Sequence, residues 1–150
     1  MNQQRRSVLK YSAVFGLMAS TGLISTAQAQ EWNKAAFEGK GIDDVFKILS
    51  SGTPDKSSSV TLNAPDIAEN GAVVPVGIIT TLKAEQMAIL VEKNPSSLAA
   101  QFFIPAGTDS FVTTRIKMGQ TSNVYGLVKA DGKWLMTVKE VKVTLGGCGG

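Results

Sequence analysis

The chain has 150 residues, 15 of them basic and 12 acidic, with a single cysteine and no histidine. Without histidine, the chain holds no Ser-His or Cys-His nucleophile pair and no His-ligated metal site, and one cysteine excludes an internal disulfide or a multi-cysteine metal site. Arg5, Arg6 and Lys10 precede the first acid, Glu31, so the rest of the chain carries twelve charges of each sign; the basic balance belongs to the first residues and is not a nucleic-acid footprint.

Residues 1–29 read as an export signal. A charged start containing Arg5-Arg6 leads into the mainly apolar stretch Tyr11–Ile24, and Ala27-Gln28-Ala29 has the small-x-small form of a cleavage site. The arginine pair points to the twin-arginine route, which exports folded proteins, although Val8 stands where that pattern usually has Phe. The apolar stretch is shorter than the roughly 20 residues that a membrane span needs. The expectation is therefore a mature chain from Gln30, in the periplasm or outside the cell.

The next elements are helical. Glu31–Phe37 reads as a short helix with Trp32 and Phe37 as apolar contacts. Ile42, Val45, Phe46 and Leu49 then fall at i, i+3, i+4 and i+7, one face of a second helix, with Asp43 and Asp44 in its favourable first turn. That face either docks a partner subunit or covers one end of the domain. Gly52 and Pro54 end the helix, and Pro54–Ser59 reads as a polar linker.

From Val60 the period changes to two. Val60, Leu62 and Ala64 alternate with polar residues as a half-buried strand that Pro65 stops. Asp66–Gly71 reads as a loop closing on the turn dipeptide Asn70-Gly71; its carboxylates Asp66 and Glu69 lack a supporting metal-ligand set. Ala72–Leu82 is rich in β-branched residues, with Pro75 arguing for an edge strand or a bulge. Gln86–Glu92 and Ala99–Ile104 are further strands, the first read as a strand over a helix because Asn94-Pro95 follows closely. In Phe111–Met118, Val112, Thr114, Ile116 and Met118 form one face, and Phe111, Thr113, Arg115 and Lys117 the other. Arg115 and Lys117 there are either a solvated face or a contact for an anion. Val124–Ala130 and Lys133–Val138 flank Asp131-Gly132, the pattern of a two-residue hairpin. The last strand is expected to run on through Val141 and Val143 toward Leu145. About seven short strands with turns between them predict an all-β, immunoglobulin-like antiparallel sandwich over residues 30–145, with a short N-terminal helical segment.

The last six residues read Leu145-Gly146-Gly147-Cys148-Gly149-Gly150. Glycine has no side chain to pack and loses most entropy on ordering, so 146–150 is expected to be a slim, mobile arm. Extended backbone covers roughly 3.5 Å per residue, which carries the thiol about 10 Å beyond Leu145. The nearest charged residue in sequence is Lys142, so nothing local activates the thiol as a nucleophile. A solitary cysteine in a secreted chain indicates intermolecular pairing or a free reactive thiol. Cys148 therefore reads as an attachment point.

This ending, from Val141 to Gly150, resembles that of the SoxY family, the sulfur-carrier subunits of the bacterial thiosulfate-oxidising Sox system. Ala64–Gly71 with Val74-Pro75-Val76, and Arg115–Ser122, resemble the family too. The resemblance implies a non-catalytic carrier without a cofactor, paired with SoxZ, whose Cys148 holds the sulfur substrate covalently. It also implies client enzymes: the haem protein SoxAX to conjugate thiosulfate, the dimanganese hydrolase SoxB to release sulfate, and a sulfane dehydrogenase. Three readings compete with it. A ubiquitin-like carrier also ends in Gly149-Gly150, but its ATP-dependent activation conflicts with an export signal. A secreted interaction protein tethered by a Cys148 disulfide is the second. An enzyme acting alone is the third, disfavoured by the missing histidine.

Overall fold

The computed structural model describes residues 33–145. Helix α1 covers Lys34–Glu38 and starts at Asn33, whose side-chain oxygen accepts a bond from the Ala36 N–H at 3.2 Å. Such a cap satisfies one of the free donors of the first turn. Helix α2 covers Ile42–Ser50 and stops at Ser51, which turns left-handed with φ 59°. Nine strands follow among the described residues: β1 Asp55–Lys56, β2 Val60–Asn63, β3 Ile67–Ala68, β4 Val74–Thr80, β5 Ala84–Val91, β6 Leu98–Phe103, β7 Phe111–Ile116, β8 Ser122–Ala130 and β9 Lys133–Val143.

The strands form two sheets. The larger has the order β1-β9-β8-β5-β6, with β3 also pairing with β9; the smaller is β2-β4-β7. The all-β sandwich expected from the sequence is the observed architecture. Its inner core follows from the period-two pattern: Met87, Ile89, Val91, Val124 and Val128 of the larger sheet meet Val74, Val76, Ile78 and Ile116 of the smaller. Gly126 lies where the sheets approach closely. A Cβ there would stand 3.1 Å from Leu62 and 3.3 Å from Ile78, so a side chain would push the layers apart.

The larger sheet is apolar on its other face as well. Ala88, Leu90, Leu127, Trp134 and Met136 pack there with Ala36, Val45 and Phe46 of the helices. Phe46 meets the Tyr125 ring edge-on, with centroids 5.8 Å apart. Burying one such aromatic is worth about 1.5–3 kcal/mol. Burial, then the carboxylates of Glu92 and Asp43, push the Tyr125 phenol above its ordinary pKa. The apolar stripe of α2 thus belongs to the fold and covers a sheet face, not one end of the sandwich. Trp32 lies outside the described residues.

The hairpin at Asp131-Gly132 is as expected. Both residues have positive φ, 50° and 73°, and the ladder between β8 and β9 runs from Ala130↔Lys133 to Ser122↔Val141. Four expectations need correction. The first helix spans Lys34–Glu38 instead of reaching only Phe37. The linker 54–59 contains β1, and the loop 66–71 contains β3; these two-residue strands account for nine strands where about seven were expected. Pro75 lies on β4, the middle strand of the smaller sheet, not an edge. Its placement is still consistent with a missing N–H, because β2 pairs with β4 only as far as Gly77 and β7 alone flanks Pro75.

Candidate functional site

Cys148 and its flanking Gly146, Gly147, Gly149 and Gly150 lie outside the described residues, as do Arg5, Arg6, Ala27 and Ala29 of the export signal. What the structure does describe is the segment that precedes them, up to Leu145. Strand β9 is held by β8 only as far as Val141. On its other edge, β1 pairs with Leu135 and Met136. The ladder from β8 therefore stops with the four residues 142–145 still to come before Gly146.

Two remote segments take over there. On one side, β3 runs parallel to β9, with Ile67 opposite Lys142 and Ala68 opposite Val143. The Lys142 N–H donates to the Asp66 carbonyl at 2.9 Å, and the Thr144 N–H to the Ala68 carbonyl at 3.1 Å. The Thr144 hydroxyl reaches the Glu69 carbonyl at 3.1 Å. The Gly71 N–H then donates to the Leu145 carbonyl at 2.9 Å. On the other side the chain before β8 has turned away, and the Thr121 hydroxyl accepts from the Val143 N–H at 3.0 Å. The two sides are joined, because the Met118 N–H donates to the Gly71 carbonyl at 2.6 Å. Three successive amides, of Lys142, Val143 and Thr144, thus point alternately to one side and the other, and each has an acceptor.

The β3 side has its own fastening. Lys139 projects from β9 so that its ammonium meets the Asp66 carboxylate at 2.9 Å and also donates to the Ala64 carbonyl. The hydrogen bond and charge of Lys139 hold the Asp66 carboxyl below the usual carboxylate range, with a smaller contribution from Lys142. Around this root the apolar side chains of Ile67, Val73 and Leu145 are exposed, Leu145 at 69 %.

Arg115 and Lys117 are exposed on β7 and just after it, and make no ion pair among the described residues. A cavity of about 760 Å³ is lined by Lys83, Glu85, Asp109 and Asp131 at the hairpin end of β9, which an eleven-residue strand places roughly 35 Å from Leu145. No group of three or more potential metal ligands occurs among the described residues.

The three stretches singled out in the sequence meet at this root: 64–71 supplies the parallel ledge, 115–122 supplies Met118 and Thr121, and 141–145 is what they hold. Thr121 lies within the singled-out stretch 115–122 but was given no role there, and Lys139 lies in none of the three stretches. The model of the SoxY family, sulfur oxidation protein SoxY, matches residues 46–148. The chain belongs to the SoxY family. A solved relative, the sulfur carrier protein SoxY from Chlorobium limicola f thiosulfatophilum, is 34 % identical, with a TM-score of 0.62 over 75 % of this chain and 100 % of that one. No curated protein matches the chain. The matched region of the family takes in the helix α2 from Phe46, both sheets, residues 142–145 and Cys148 itself.

Proposed function

We propose that this protein is a periplasmic sulfur carrier: it holds thiosulfate-derived sulfur covalently on Cys148 and presents it to the other Sox enzymes during oxidation to sulfate. The observation that carries the reading is the family match running through to Cys148, the only thiol in the chain. The division of labour agrees with the chemistry available. The chain has no histidine, and its one thiol has no charged neighbour in sequence to activate it. Reactivity is then supplied by whichever active site the thiol enters, and the protein acts as a substrate for its partners, without a cofactor of its own.

In this reading the sulfane sulfur of thiosulfate bonds to the Cys148 sulfur. The thiol loses its proton, and two electrons leave to the haem partner SoxAX. Water then cleaves the bond to the sulfonate sulfur in SoxB, releasing sulfate and leaving a persulfide on Cys148 for a sulfane dehydrogenase. Residues 1–29 serve as a twin-arginine signal cut after Ala29. Residues 30–145 form the carrier domain, paired with SoxZ, and 146–150 form the arm. A slim glycine backbone lets one thiol enter several narrow clefts. The test is Cys148→Ser in a reconstituted Sox system. The variant is expected to fold and bind SoxZ while thiosulfate oxidation disappears; turnover at the wild-type rate would end the proposal.

A further inference from the structure

Where the chain is last held before Cys148 sets how far the thiol can range, and the ladder from β8 does not reach that point. The ladder from β8 ends at Val141. If the chain were free beyond that residue, Cys148 would hang on seven residues in place of the three after Leu145. The end-to-end distance of a flexible coil grows as about the square root of its length. The volume searched by the thiol would then be larger by roughly three- to fourfold, and its effective concentration at a docked client lower by the same factor.

We propose that Thr121, Asp66 and Lys139 are positioning residues that clamp Lys142–Leu145 from both sides, so that the segment carrying Cys148 starts from a fixed Leu145 and not from Val141. Each has one identifiable task. Thr121 supplies, through its side chain, the acceptor for Val143 that the departing backbone no longer offers. Asp66 and Lys139 tie the start of β3 to β9 itself, since the lysine that binds Asp66 stands three residues before Lys142 on the strand being held. That tie matters because β3 is only two residues long, too short to hold its place by its ladder alone. Asp66 is nearly fully exposed, at 88 % of its side chain, so the ion pair contributes little to global stability and its effect is local.

The inference rests on Cys148 being the presented thiol, but not on sulfur being its cargo. The experiment uses the full chain with a nitroxide disulfide-linked to Cys148, and amide hydrogen exchange with Val128 of the inner core as the reference. Thr121→Val is expected to speed exchange at Val143 about fivefold, and Asp66→Asn to do the same at Lys142 and Thr144, with Val128 unchanged. The double variant should also give a nitroxide spectrum of faster motion. Thr121→Ser, which keeps the hydroxyl, should restore slow exchange at Val143. Unchanged exchange at all three amides overturns the clamp. An equal loss at Val128 also overturns it, because the residues would then support the whole fold. Should the double variant not fold, Thr121→Val decides alone through Val143. Loss of the clamp effect would leave the carrier reading intact, and a cysteine without sulfur would leave the clamp intact.

Discussion

The two halves of β9 are built on different principles. From Lys133 to Val141 the strand is paired residue by residue with β8, its neighbour across a two-residue turn, and Trp134 and Met136 are buried beneath the helices. From Lys142 to Leu145 it is held by pieces of chain that are distant in sequence: β3 and Gly71 on one side, Thr121 on the other. The first half gains its stability from local pairing and apolar burial. The second buries little and is defined by hydrogen bonds, each worth about 1 kcal/mol net. The contrast separates stability from placement. One half keeps the domain folded, and the proposed role of the other is to fix the chain up to Leu145.

Damage to the first half should be global. Met136→Ala removes a side chain buried between the larger sheet and the helices and is expected to cost about 2–5 kcal/mol, read as a lower urea midpoint. A cost below 1 kcal/mol would show that the helical layer is not part of the stabilising core. Gly132→Ala acts on the turn that starts the strand. No atom crowds that position, but its φ of 73° is one that side chains rarely adopt. The expected loss is about 1–2 kcal/mol, with the nitroxide on Cys148 unaffected. An altered nitroxide spectrum there would mean that the two halves are coupled.

Acid should give the smallest effect, confined to the second half. The Asp66 carboxyl is held below its ordinary value, so its contribution is present above the unfolded carboxylate pKa of about 3.9 and is lost as pH falls through the folded value. The groups that lower it are Lys139 and, to a smaller extent, Lys142. The nitroxide spectrum is therefore expected to match at pH 7 and pH 5, and to show faster motion only below the ordinary carboxylate range. In Asp66→Asn that step should be missing. A step between pH 7 and pH 5 would point to another group.

The same contrast governs how much could be read from the sequence. The hairpin was legible because Asp131-Gly132 accepts positive φ and the flanking residues alternate. Strand β5 was legible despite its helix-like composition, because Asn94-Pro95 limits its length. The α2 stripe was recognisable, but its partner face was not, since β5 and β8 are apolar on both sides and nothing local says which side a helix will take. Strands β1 and β3 were missed because two residues have no period. The clamp was missed for a different reason. Thr121 lies 22 positions and Asp66 73 positions before the residue or side chain that it binds, Val143 or Lys139, and neither pairing leaves a local pattern. The identity of the cargo came only from family likeness, since composition and spacing define a lone thiol between glycines and no more.

The most direct measurement of the central claim is the mass of the protein purified from its native compartment after exposure to thiosulfate, before and after reduction, with the modified peptide mapped. The account predicts a mature chain beginning at Gln30 that carries reductant-sensitive added sulfur on Cys148 and nowhere else. A Cys148 that stays unmodified, or is found only as a disulfide to another chain, would contradict it.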